Sequence, residues 1–234
     1  MTLIIGMNGA KRSGKDFGAT ILIEELERRN YSVLRTSFAK ALRQMAVAVS
    51  GCEPKDIDQR KDIVTVYRIS LTGLSMWLRQ MGLLPEKDTD KFMLGWEAAI
   101  KSQLKVQRNH SGVVFYPDMD GWEMAGSGRD LLIVLGQAAR QLDPQFWVKL
   151  LLADVAQSGQ NIAVVTDVRP QNEAVACDFV IEVTSPGIEF EGTATESRLP
   201  EQLRHVSIEN RLDATYGQAI RKLIPIIISK LEAQ

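Results

Sequence analysis

Residues 2–16 read Thr-Leu-Ile-Ile-Gly-Met-Asn-Gly-Ala-Lys-Arg-Ser-Gly-Lys-Asp, and the fold is decided there. Leu3, Ile4 and Ile5 form a short apolar run with β-branched members, which predicts a buried strand. Gly9 and Gly14 bracket four residues, and Lys15 follows at once. From Phe17 to Arg29 the spacing turns helical, with Ile21, Leu22 and Leu26 on one face. Strand, Gly-x-x-x-x-Gly-Lys loop and helix in that order form a phosphate-binding loop, the P-loop. The glycines let the backbone curl so that N–H groups converge. The helix N-terminus adds partial positive charge and Lys15 a full one. Such a nest suits the β- and γ-phosphates of a nucleoside triphosphate. After Lys15 comes Asp16, at the place where the motif uses Ser or Thr to hold Mg²⁺.

The rest of the chain narrows the class. Its 234 residues suffice for one α/β domain with an insertion. A formal net charge of −1 gives no basic excess for nucleic acid and no attraction to a membrane surface. No apolar run approaches the roughly 20 residues of a membrane span, and the first residues lack a signal-peptide pattern. Cys52 and Cys177 lie far apart, which argues against a disulfide framework or a Cys-rich zinc site. His110 and His205 stand alone without metal-ligand spacing. These features imply a cytoplasmic protein.

Further strands are expected at Tyr31 to Phe38, Asn161 to Thr166, Phe179 to Thr184 and Val206 to Ile208. With helices between them, five strands describe a three-layer α/β fold around a parallel sheet. Residues 50–128 read as a helical insertion that shapes a substrate site within the single domain. In it, 62–81 and 91–107 have helical spacing, 113–116 is strand-like, and 117–128 is rich in turn formers. Residues 186–204 have the composition of a lid-like loop, with Arg198 in it. Asp213 to Leu231 is a closing helix kinked at Pro225. Arg35, Lys40 and Arg43 cluster at a strand-to-helix junction, where α/β sheets meet ligands. Asp167 ends a hydrophobic strand, as the metal-side carboxylate of a P-loop fold does. Arg169 follows two residues later and Glu173 one helical turn beyond that. Trp77, Trp96 and Trp122 are expected in the core for at least two of the three, with a homodimer interface as the other use.

Several of these stretches together resemble the phage-type deoxynucleoside monophosphate kinases, within the wider P-loop nucleoside monophosphate kinase group. The stretches are Gly-Ala-Lys-Arg-Ser-Gly-Lys-Asp at 9–16, Ser-Phe-Ala-Lys-Ala-Leu-Arg at 37–43, and Leu-Gly-Gln-Ala-Ala-Arg-Gln-Leu-Asp-Pro-Gln-Phe-Trp-Val at 135–148. Asp-Val-Arg-Pro-Gln-Asn-Glu at 167–173 and Thr-Glu-Ser-Arg-Leu-Pro at 195–200 complete the set. The Asp after Gly-Lys is that family's own form of the loop. The chain departs from the family at Phe17, at Gln137-Ala138 and at Thr193.

The resemblance implies a parallel core sheet, ATP and Mg²⁺ at the P-loop, and a monophosphate acceptor held by arginines. It places Gly9, Lys11, Arg12, Ser13, Gly14, Lys15 and Asp16 on the ATP side, with Asp16 and Asp167 toward the metal. It places Arg43, Arg140, Asp167, Arg169 and Glu173 on the acceptor side, and Lys15, Arg43, Arg140 and Arg169 nearest the transferred phosphate. The expected reaction is ATP-dependent phosphorylation of deoxynucleoside 5′-monophosphates. Two alternatives share the motifs. One is a P-loop kinase for another small acceptor, such as dephospho-coenzyme A, which an acceptor panel separates. The other is a non-catalytic nucleotide-binding module, which would bind ATP and form no phosphorylated product.

Overall fold

The computed structural model describes residues 2–190 and 198–233. In chain order its elements are β1 (Leu3–Asn8), α1 (Lys15–Glu27), β2 (Val33–Thr36), α2 (Phe38–Ser50), α3 (Pro54–Gln59), β3 (Thr65–Ser70), α4 (Leu71–Gln80) and α5 (Thr89–Ser111). They continue with β4 (Val114–Asp118), β5 (Gly121–Gly126), α6 (Gly128–Leu142), α7 (Phe146–Ser158), β6 (Ile162–Val165) and α8 (Gln171–Val175). The last are β7 (Phe179–Thr184), β8 (Val206–Glu209), α9 (Ala214–Lys222) and α10 (Ile224–Glu232). The chain divides into two compact units, residues 1–38 with 148–234, and residues 39–147.

The first unit is α/β, built on a five-stranded sheet in the order β2-β6-β1-β7-β8. Every pairing in it is parallel, with Ile5 opposite Val164 on one side and Phe179 on the other. These strands are the five read from the sequence. The side chains of β1, β6 and β7 are buried on both faces, which is why these three appear as continuous apolar runs rather than as alternating ones. The core joins Leu3, Ile5 and Met7 of β1 to Leu22 and Leu26 of α1, and to Tyr216, Ile220 and Ile227 of the closing helices. Pro225 falls at the start of α10, so the expected kink is a break between α9 and α10. From β1 the chain first fills the β6 side of the sheet, with β2, and then returns to the other side with β7 and β8. The C-terminal end of β1 is therefore a topological switch point, the place where open α/β sheets bind ligands.

The second unit includes residues 50–128 and carries its own antiparallel sheet, in the order β3-β5-β4. Two local readings are corrected here. Residues 62–81 are not one helix, because Thr65–Ser70 is strand and only Leu71–Gln80 is helical. Val66 and Arg68 are exposed while Tyr67 and Ile69 are buried, a period of two that the later helical spacing masked. Residues 117–128 are not all turn, because Gly121–Gly126 pairs with both β3 and β4. Trp122 and Met124 point inward from β5. Asp118 to Gly121 is the expected turn, closing the hairpin. Gly126-Ser127-Gly128 is not a second phosphate loop. Ser127 caps α6 by a reciprocal capping box with Asp130. Trp77, Trp96 and Trp122 are all buried in this unit. Phe146 sits edge-on to Trp96, at 5.4 Å between ring centroids.

Candidate active site

Between β1 and α1 the chain folds as the phosphate loop that the sequence predicts. Arg12 and Gly14 take positive φ, 68° and 90°, and Gly14 caps α1 from the left-handed region. Gly9 is fixed by close approach: a Cβ there would lie 2.5 Å from both Ser13 Oγ and the Val183 carbonyl. The loop closes on itself through Ser13 N–H to the Ala10 carbonyl at 3.1 Å. Lys15 is buried and its Nζ donates to the Ala10 carbonyl at 3.3 Å. Lys11, Arg12 and Asp16 are exposed on the rim. Ser13 Oγ is buried and unpaired among the described residues. The loop therefore combines curled backbone, a helix N-terminus and a lysine, the ingredients of an anion nest.

A second loop lies beside it in the same unit. Asn8, the last residue of β1, donates from Nδ2 to the Val168 carbonyl at 2.9 Å. Val168 N–H in turn donates to the Met7 carbonyl at 3.2 Å. The loop of Asp167 and Arg169 is thus laced to the strand that delivers the phosphate loop. Asp167 Oδ1 accepts the Phe38 N–H at 2.7 Å, where α2 begins. Glu173 is buried, and its Oε2 accepts the Arg169 N–H at 3.0 Å, closing the turn into α8. The structure thus gives Glu173 a loop-shaping contact.

The segment after β8 approaches the phosphate loop from behind. Asn210 is buried and donates from Nδ2 to the Ser13 carbonyl at 3.0 Å. Tyr216 Oη donates to the Gly14 carbonyl at 3.0 Å. Burial, with the Asp16 charge nearby, pushes the Tyr216 hydroxyl up to about 12, so it remains a donor at any ordinary pH. Neither residue carried a motif in the sequence. Asn210 follows a four-residue strand and Tyr216 reads as one more apolar position of a closing helix.

Arg198, expected in the lid, forms a fork to Glu182 on β7, Nε to Oε1 at 2.8 Å and Nη2 to Oε2 at 3.0 Å. Arg204 and Ser207 also donate to Glu182 Oε2, each at 2.7 Å. Burial alone would raise the Glu182 carboxyl, but these three donors outweigh it and hold it at about 2. Of the lid-like stretch, residues 191–197, which include Thr193 and the Thr195-Glu196 pair, lie outside the described residues.

In the other unit Arg43 projects from α2 and pairs with Asp58 at 3.2 Å. Arg140 lies in the last turn of α6. Arg35, on β2 in the first unit, donates to Thr20 Oγ1 at 2.9 Å.

Asp16 and Asp167 are the carboxylates that the resemblance places toward a metal, and the described residues contain no group of three or more His, Cys, Asp or Glu able to hold one. Hard carboxylate oxygens of this number fit Mg²⁺ that arrives with phosphates, which asks for one or two protein ligands rather than a protein cage. No helix among the described residues is long and apolar enough to cross a membrane.

No protein-family model matches the chain. The chain is similar to the deoxynucleoside-5′-monophosphate kinase of Escherichia phage T5, with 27% identity over 184 residues that cover 74% of this chain and 70% of that protein. That likeness supports the resemblance to the phage-type deoxynucleoside monophosphate kinases read from the motifs.

Proposed function

We propose that the protein transfers the γ-phosphoryl group of ATP to a deoxynucleoside 5′-monophosphate, giving the diphosphate and ADP. The observation that carries this reading is the phosphate loop at the sheet's switch point, laced through Asn8 to the loop of Asp167 and Arg169. The likeness to a phage deoxynucleoside monophosphate kinase supports the choice of acceptor.

In this reaction the bond between the γ-phosphorus and the β–γ bridging oxygen breaks, and one forms to an oxygen of the acceptor phosphate. That oxygen is ionised at neutral pH, so no side chain need act as a base. Alignment and charge neutralisation supply the catalysis. Lys15 and the amides of residues 9–15 would hold the β- and γ-phosphates. Asp16 and Asp167 would hold Mg²⁺, directly or through water, and the ion would neutralise charge between the β- and γ-phosphates. Arg169 would meet the transferred phosphoryl group, and Arg43 and Arg140 the acceptor phosphate. Guanidinium groups suit this because their planar fork binds two phosphate oxygens at once. Arg198 would help exclude water from the transfer.

Steady-state kinetics of Lys15→Ala and Arg169→Ala test the assignment. Each is expected to lower kcat/KM by about a hundredfold or more, the usual loss for one transition-state donor. Near wild-type turnover by both variants, with every monophosphate tried, would show that these residues are not the site.

A further inference from the structure

We infer that Asn210 and Tyr216 are positioning residues that set the direction of the phosphate loop's amides. The inference rests on the reading of that loop as the ATP site. It starts from two carbonyls. Ser13 O accepts from Asn210 Nδ2 and Gly14 O accepts from Tyr216 Oη, each at 3.0 Å. In a trans peptide the C=O and the following N–H point in opposite directions across a rigid plane. Fixing the Ser13 carbonyl therefore fixes the Gly14 N–H, and fixing the Gly14 carbonyl fixes the Lys15 N–H. Both N–H groups are turned to the side away from the segment 210–216. Gly14 O already accepts the first helical bond of α1, from Gly18 N–H at 3.0 Å. Tyr216 thus adds a second donor to a carbonyl that the helix alone would leave free to tilt.

The donors are themselves held firmly. Asn210 N–H donates to the Thr184 carbonyl at 2.7 Å, and the Asn210 carbonyl accepts from Ser185 Oγ at 2.9 Å. Its Oδ1 accepts the Leu212 N–H at 3.0 Å, which fixes which end of the amide faces Ser13. The Tyr216 ring lies in the core with Leu22 and Ile220. Both contacts need glycine at the position they approach. A Cβ on Gly14 would stand 2.1 Å from Asn210 Nδ2, and one on Gly18 would stand 2.1 Å from Tyr216 Oη. The sequence keeps residues 14 and 18 without side chains, and the segment from β8 to α9 comes close enough to grip the backbone. A preorganised nest binds phosphate without having to reorient its amides, so this grip acts on nucleotide affinity.

The test compares Asn210→Asp and Tyr216→Phe in the intact chain. The first keeps the acceptor for Leu212 and removes the donor to Ser13. The second removes one oxygen from a ring that stays packed. Calorimetry with ATP, thermal melting, and KM for ATP and for the acceptor monophosphate are measured on each. Tyr216→Phe is expected to bind ATP about five- to tenfold more weakly, the loss of one hydrogen bond's net contribution, and Asn210→Asp, which also sets a carboxylate beside the loop, more weakly still. KM for the acceptor should stay within about twofold, since the grip does not reach it. A role confined to stability would lower the melting temperature and leave ATP affinity intact. If Asn210→Asp does not fold, Tyr216→Phe decides alone. Wild-type ATP affinity in the folded variants overturns the inference and leaves the ATP reading standing. A wild-type chain that binds no ATP overturns that reading and the inference with it.

Discussion

Asn8 Nδ2 donates to the Val168 carbonyl at 2.9 Å, and with the Val168 N–H to Met7 carbonyl bond it ties the end of β1 to the loop that holds Asp167 and Arg169. Both partners are buried. The bond joins the two candidate loops at the point where the order of strand addition reverses, so their spacing is a property of the core. Replacing Asn8 with Ala leaves the Val168 carbonyl without its side-chain donor. The expected loss is about 1–3 kcal/mol of stability, with a fall in kcat larger than any change in KM for ATP. Denaturant unfolding and steady-state kinetics of the same preparation check both. Unchanged kcat at reduced stability would mean that the tie serves folding alone.

Gly18 offers a test in which the sign is informative. In an ordinary helix position Gly→Ala stabilises by about 1 kcal/mol. Here a Cβ would stand 2.1 Å from Tyr216 Oη and 3.1 Å from Cζ. Gly18→Ala is therefore expected to destabilise by about 1–3 kcal/mol, as overpacking does. Combined with Tyr216→Phe, it should cost less than the sum of the two single changes, because the closer atom is gone. Additive costs in the double-mutant cycle would contradict the contact.

Acid stability should follow Glu182. Its folded carboxyl sits at about 2, against about 4.3 for an unperturbed glutamate. A depressed carboxylate contributes stability that is complete above the unfolded value and is lost as pH falls through the folded one. Unfolding free energy should therefore decline from about pH 4.5 toward pH 2. Glu182→Gln leaves Arg198 and Arg204 without their counter-charge, and is expected to cost about 2–4 kcal/mol at pH 7 while flattening that decline. Denaturant titrations at several pH values read both effects. A variant as stable as wild type at neutral pH would remove Glu182 from the account.

His205 governs a milder window. Its Nδ1 accepts the Val180 N–H at 3.0 Å, which requires the neutral ring. Burial, then the Lys230 ammonium, lower its pKa, and Asp178 opposes them. The folded value lies below the unperturbed value of about 6.5, so the stabilising contribution is present above that pH and lost as pH falls. Stability should drop as pH falls below about 6.5 in the wild type and change less in His205→Asn, which keeps an acceptor without a titration. A wild-type curve that is flat across this range would contradict the assignment.

What the sequence made legible follows from how each element is stabilised. β1, β6 and β7 are buried on both faces, so their apolar runs stand out, and the glycines at 9 and 14 announce the loop between β1 and α1. β3 was hidden because Tyr67 and Ile69, its inward residues, also fit a helical series that continues into Leu71, Leu74 and Leu78. β5 was hidden because Gly121 and Gly126 at its ends, among the other turn formers of 117–128, suggest a turn when read without the strands that pair with it. At the candidate site, the positions of Lys15, Asp167 and Arg169 beyond strand ends were legible because the apolar strands before them stand out in the sequence. Asn210, about two hundred residues from Ser13, was not, because its contact exists only once β8 lies beside β7. Nor was Glu182. A glutamate inside an apolar strand reads as an anomaly until Arg198, Arg204 and Ser207 are seen around it.

The central claim is that the phosphate loop serves transfer to a nucleotide phosphate. The most direct measurement is an ATP-dependent assay across the four common deoxynucleoside monophosphates and their ribose counterparts, with product diphosphate and ADP both quantified and Lys15→Ala run alongside. The expected result is at least one deoxynucleoside diphosphate formed one-for-one with ADP, and a rate about a hundredfold lower or less in the variant. ATP binding with no diphosphate from any acceptor, or equal rates in wild type and Lys15→Ala, would contradict it.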